Sequence, residues 1–241
     1  MQLSNLISGK NEQVEEVWAA LRDCAPMVLG VVPFGITCGI MGLTANMSGL
    51  ETILMSVFVF AGASQFIGIS MLSAGITGWG IIILTTLLVN LRHLIMGSSL
   101  APYMIKLPFP LQAFLAFFLT DEAYALTISR SYKVRYSELY QLIVSTMIYL
   151  VWILATLAGV GLGSYISDPL TWGLDFAMPA TFLVLLIPLL KDHISLIVFG
   201  IAAVVSVSAA LYLPGKWYII IACVIATSIG GLLEGDNKNA Q

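Results

Sequence analysis

The sequence predicts an all-α integral membrane helix bundle of about eight (seven or eight) transmembrane segments with broken helices. Three features carry that reading. Of the 241 residues, 59% are hydrophobic and only 10% charged, against roughly 25% charge in ordinary soluble domains. Mean hydropathy is +0.97. Apolar runs near the ~20 residues that a helix needs to cross a bilayer recur along the chain, separated by short polar breaks.

Residues 1–23 hold Lys10, Glu12, Glu15, Glu16, Arg22 and Asp23, which makes them too polar for a signal-peptide core, so they are expected to stay on the mature protein. Their Val14, Val17, Trp18 and Leu21 recur at helical spacing, which predicts an amphipathic helix on the cytoplasmic surface. Residues 24–233 form the predicted transmembrane domain, with segments at 24–45, 52–74, 79–103, 111–129, 139–166, 174–190, 194–213 and 217–233. Residues 234–241 are the predicted cytoplasmic tail. The sixth segment is short, so seven spans plus a re-entrant piece is the alternative count. Eight spans with both termini cytoplasmic place Lys10, Arg22, Arg130, Lys133, Arg135, Lys191 and Lys238 inside, against Lys106 and Lys216 outside. That asymmetry is the one membrane insertion favours. Trp79, Trp172 and Trp217 fall near expected interfaces as anchors.

Several functions are disfavoured. A net charge of -3 with dispersed cations gives nucleic acid no basic surface. Cys24, Cys38 and Cys223 lack the paired spacing of a zinc site and read as helix-packing residues, so no metal or cofactor is expected. No phosphate-binding Gly-x-x-x-x-Gly-Lys loop is present, which argues against an ATP-driven pump. No His-Glu-x-x-His pair is present either, and His93 is the one intramembrane histidine, which argues against an enzyme. A transporter of a small polar solute leads; a channel or a structural membrane subunit is the alternative.

Charge at mid-membrane costs roughly 2.5 to 3.5 kcal/mol per residue on insertion scales and so calls for a reason. The third segment contains Asn90-Leu91-Arg92-His93 and the fourth contains Thr120-Asp121-Glu122. At 100° per residue Asn90 and His93 share a face while Arg92 points elsewhere. Arg92 is expected to pair with Asp121 or Glu122, either as a pin between helices or as part of a polar, titratable cavity. The cavity reading is preferred because a buried pair alone is a poor source of stability.

Two segments read as broken helices. Pro33, in Val32-Pro33-Phe34-Gly35, removes a backbone donor inside the first segment. Ala61-Gly62-Ala63-Ser64-Gln65-Phe66 is a small, polar patch inside the second. Half-helix termini of this kind hold charged substrate groups near the midplane of transporters. The competing reading is close packing, since Gly35-xxx-Gly39 and Gly159-xxx-Gly163 are small-residue faces, open to helices of another subunit. Pro179 and Pro188 mark the sixth segment, and short or Pro-interrupted first and sixth segments point to an inverted repeat.

Pro33-Phe34-Gly35, Val59 to Phe66, Val89-Asn90-Leu91-Arg92-His93 and Leu119-Thr120-Asp121-Glu122, in this order and spacing, resemble the AzlC family of branched-chain amino acid exporters. The similarity runs from about Cys24 to Leu190 and includes Met178-Pro179-Ala180. The resemblance implies a bacterial inner-membrane permease. It also implies export of neutral branched-chain amino acids, with methionine a further candidate, together with a small hydrophobic AzlD-like subunit. The candidate substrate or translocation residues are Pro33, Phe34, Gly35, Gly62, Ser64, Gln65, Phe66, Asn90, Arg92, His93, Thr120, Asp121 and Glu122, with protons as a candidate coupling ion.

Overall fold

The computed structural model describes residues 2–163, 165, 183, 187, 190, 192–213 and 217–239, and every regular element among them is helical. The α-helices are α1 (Gln2–Thr44), α2 (Gly49–Phe58), α3 (Gly62–Ser73), α4 (Trp79–Met104), α5 (Phe109–Phe117), α6 (Asp121–Lys133), α7 (Glu138–Gly163), α8 (His193–Tyr212) and α9 (Trp217–Asn239). Four of them, α1, α4, α7 and α8, are long and apolar enough to cross a membrane. The chain is a polytopic helical membrane protein. The sixth segment, with Met178, Pro179 and Pro188, lies outside the described residues.

α1 and α7 form the central pair. The Tyr140 hydroxyl donates to Asp23 Oδ2 at 2.8 Å near one end, and Gly163 lies against Leu43 and Ile40 near the other, so the two helices run parallel. Their contact is backbone on backbone. A methyl group on Gly159 would collide with the Ile36 carbonyl oxygen, one on Gly39 with the Thr156 carbonyl, and one on Gly35 would lie 2.6 Å from Ala155 Cβ.

This packing corrects two expectations. Pro33 does not break the first span: α1 passes through both Pro26 and Pro33 without ending. A proline inside a helix costs about 3 kcal/mol, and the glycine faces, by letting α7 approach closely, supply packing that offsets it. The Gly35–Gly39 and Gly159–Gly163 faces are also not open to another subunit, because they are packed against each other. α1 is equally continuous across residues 23 and 24.

The true interruptions fall in the second and fourth segments, at Val59–Ala61 and Phe118–Thr120. α2 starts with Gly49 against Val160, near the end of α7. It runs inward until the Val57 carbonyl accepts from the Tyr149 hydroxyl at 3.0 Å, midway along α7. α3 then turns back, and its end at Ser73 leads within five residues into α4. The second hairpin enters from the opposite end. Tyr103, at the close of α4, stacks on Tyr136, just beyond α6, with ring centroids 5.4 Å apart. Leu107, Ser137 and Glu138 line one depression there. α5 and α6 therefore begin and finish at the same end of the bundle, and their tip reaches Arg92, halfway along α4.

Both hairpins are re-entrant. A crossing helix followed by a hairpin, α1 then α2–α3, is repeated with inverted direction as α4 then α5–α6. An inverted repeat thus sits within the first six helices, while the expected pairing of the first segment with the sixth involves residues outside those described. Lys106 is corrected with it: its loop lies beside the 134–137 loop, not at the opposite end.

Local sequence explains the turns. Asn46, with φ of 60°, ends α1 in the left-handed conformation that asparagine tolerates. Ser48 and Glu51 then form a reciprocal capping box at the start of α2. The Ser48 N–H and hydroxyl donate to the Glu51 carboxylate at 2.7 and 2.8 Å, which holds that carboxyl below its usual range. Asp192 caps α8 with its own carboxylate, which accepts from the Ser195 N–H and hydroxyl.

Candidate functional site

The two hairpin tips meet at a small cavity of about 40 Å³. That volume holds a water or two and is far too small for an aliphatic amino acid, so the tips stand closed. Arg92 lies at the middle of the 26-residue α4, which places the cavity close to the bilayer midplane.

The two tips differ chemically. α3 begins at Gly62 behind Ala61, which supplies no side-chain cap. The first amides of a helix have no intrahelical acceptor and carry the positive end of its dipole, and Gly62 and Ala63 line the cavity. α6 begins behind Thr120, whose hydroxyl accepts from the Ala123 N–H at 3.3 Å, and it carries Asp121 and Glu122 in its first turn. One tip presents bare donors; the other presents carboxylates.

Arg92 spans the gap from α4. Its guanidinium lies 2.6 Å from Asp121 Oδ2, with side-chain exposures of 34% and 37%. The pair thus forms with Asp121, the first of the two carboxylates expected. Arg92 Nε and His93 Nδ1 are buried without a hydrogen-bond partner. Phe34, Trp152 and Ile148 supply the apolar wall. Phe34 stacks on Phe66 at 4.4 Å and meets Trp152 edge-on at 5.4 Å.

Of the expected residues, Phe34, Gly62, Arg92, His93, Thr120, Asp121 and Glu122 line the cavity. Pro33, Gly35, Ser64, Gln65, Phe66 and Asn90 do not. Gly35 is taken up by α7. Gln65, 1% exposed, staples the first tip: its amide donates to Ser56 at 2.9 Å and its carbonyl accepts from the Trp152 indole at 3.2 Å. Ser64 donates to Asn90 at 2.8 Å and ties α3 to α4.

Sequence reasoning missed Trp152 and Phe60. Trp152 was legible as a tryptophan deep within a span, away from the interfaces where that residue concentrates. The break before α6 also had a signal, because Thr-Asp-Glu is an N-cap followed by an acidic first turn. Phe60 had none: it sits at φ 42°, a conformation costly for an aromatic residue. It is held there against Tyr149 at 4.9 Å and Phe118 at 6.2 Å.

The AzlC protein family model matches residues 26–166, more than half of the chain. The chain belongs to the AzlC family. An uncharacterized membrane protein of Archaeoglobus fulgidus is 34% identical over 178 residues, covering 73% of this chain and 77% of its own. The inner membrane protein YgaZ of Escherichia coli is 29% identical, with 88% of each chain covered. The branched-chain amino acid transport protein AzlC of Bacillus subtilis is 28% identical, covering 94% and 90%. No solved structure matches the chain. The matched region of the AzlC family ends near the close of α7, so it contains both hairpins and every residue of the cavity.

Proposed function

We propose that this chain is a secondary permease that exports neutral branched-chain amino acids, valine, leucine, isoleucine and also methionine, across a bacterial inner membrane. The observation that carries it is the meeting, at mid-membrane, of one uncapped helix tip, one acidic tip and an aromatic wall. A zwitterion with an apolar side chain needs those three surfaces. Its carboxylate is taken by Arg92 and the Gly62 and Ala63 amides, its ammonium by Asp121 or Glu122, and its side chain by Phe34 and Trp152. One methylene is worth only about 1 to 3 kcal/mol in such a pocket, which favours overlapping specificity. The name of the Bacillus subtilis relative supports the substrate class. A substrate carboxylate that draws Arg92 away from Asp121 leaves a carboxylate free to take up a proton, which links export to the proton gradient. The family resemblance supplies the small AzlD-like subunit as partner.

Labelled leucine uptake into inverted vesicles carrying the chain with that subunit is expected to be saturable, to show counterflow, and to fall when the pH gradient is collapsed. Flux without saturation or counterflow would favour a channel and sink the permease. Unchanged concentrative uptake after collapse would remove the proton link alone.

Both termini, with residues 1–23 and 234–241, are proposed to be cytoplasmic. Lys10, Arg22, Lys106, Arg130, Lys133 and Arg135 gather at the end where α1 begins, and the described loops 45–48 and 74–78 at the other end carry no Lys or Arg. In intact cells, an impermeant thiol reagent should therefore label a cysteine introduced at Thr77 and spare one at Lys106. The reverse pattern refutes the arrangement.

A further inference from the structure

A second polar feature lies at the far end of α6 from the cavity, where α1, α6 and α7 enclose an open groove of about 460 Å³. Its one carboxylate, Asp23, accepts from Tyr140 at 2.8 Å, and Glu16, outside the lining, accepts from Arg130 at 3.1 and 3.2 Å. Arg22 and Lys133 also line the groove, are exposed, and make no ion pair with any described residue. Its lining thus carries three cations against one occupied carboxylate. Pro26, Met27, Leu126 and Val134 supply its apolar wall, with Ser129 beside them.

Depth decides what suits it. Lys133 is twelve residues along α6 from Asp121, and Arg22 is twelve residues before Phe34 on α1. Both therefore stand about 18 Å from the level of the cavity, just beyond the ~15 Å half-thickness of the hydrocarbon core. Met27 and Leu126, five to seven residues from the same landmarks, fall inside it. Cations at phosphate depth above an apolar wall at acyl-chain depth match one class of ligand.

We propose that this groove binds an anionic phospholipid, with its phosphate between Arg22 and Lys133 and an acyl chain along Met27 and Leu126. The site is separate from the translocation cavity and does not depend on which solute passes there. Because it spans α1 and α6, an occupied groove braces the half-helix that carries Asp121.

The full chain, purified in a neutral detergent, tests this through its thermal unfolding midpoint. Phosphatidylglycerol is expected to raise the midpoint saturably, while phosphatidylcholine of the same chains and inorganic phosphate leave it unchanged. The R22Q/K133Q variant should need roughly tenfold or more phosphatidylglycerol for the same rise, each cation near an anionic headgroup contributing several-fold. Lys106→Gln, a cation at the same end but outside the groove, should titrate like the parent, as should the charge-keeping R22K/K133R. If R22Q/K133Q does not fold, Lys133→Gln alone should show a several-fold weakening. Equal stabilisation by phosphatidylcholine, a full effect of free phosphate, or a parental titration by the neutralised variant would each overturn the proposal.

Discussion

Gly159→Ala is expected to separate α1 from α7 and to be the most damaging small substitution in the described chain. The added methyl collides with the Ile36 carbonyl oxygen and crowds the Ile36 backbone on either side of it, so no rotamer change relieves it. Overpacking of a rigid contact costs typically 1 to 3 kcal/mol, and here the moving parts are two helix backbones, so roughly 3 kcal/mol or more is expected. Gly97→Ala is the matched control, since nothing lies within 4 Å of its new methyl. It should gain about 0.5 to 1 kcal/mol from helix propensity. Thermal unfolding of both variants in detergent checks the pair of results. Equal midpoints would mean that the backbone contact between α1 and α7 is not what holds the bundle.

The second large effect is expected at the ion pair. Arg92→Gln leaves Asp121 and Glu122 side by side at the cavity without a facing cation, and Asp121→Asn leaves a guanidinium in low dielectric without its partner. Breaking a fully buried pair costs about 3 to 5 kcal/mol. With each side chain about a third exposed, water in the cavity screens the loss to roughly 1 to 3 kcal/mol. Each single variant should lose transport and stability, with Arg92→Gln the worse because it strands two acids. R92Q/D121N should recover stability without recovering transport. The folded fraction after heating, followed by fluorescence size exclusion, reads this directly. A double variant no more stable than the worse single one would defeat the pairing argument.

Composition and hydropathy made the membrane legible, and the expense of charge in lipid singled out Arg92, His93, Asp121 and Glu122 from the sequence alone. The re-entrant course of the two hairpins was not legible. A 25-residue apolar stretch has the length of a crossing whether it traverses or turns back, and only contacts such as Tyr103 with Tyr136 distinguish the two. Pro33 misled for a related reason: its local cost is readable, but the compensating α7 backbone is more than a hundred residues away. Gln65 looked like a substrate contact because polar groups in lipid invite function, yet Ser56 and Trp152 already satisfy it.

The rings at the hairpin tips have a mechanical consequence. Tyr149 seats Phe60 at 4.9 Å and Phe118 at 4.6 Å, so hairpins entering from opposite faces rest on one shared bearing. Withdrawing one tip takes one ring off Tyr149 and leaves the other seated on it. A passage open to both faces at once would need both rings off Tyr149, forfeiting two aromatic contacts of about 0.5 to 1.5 kcal/mol each. For the proposed permease, that shared bearing makes the doubly open passage the costliest of its arrangements.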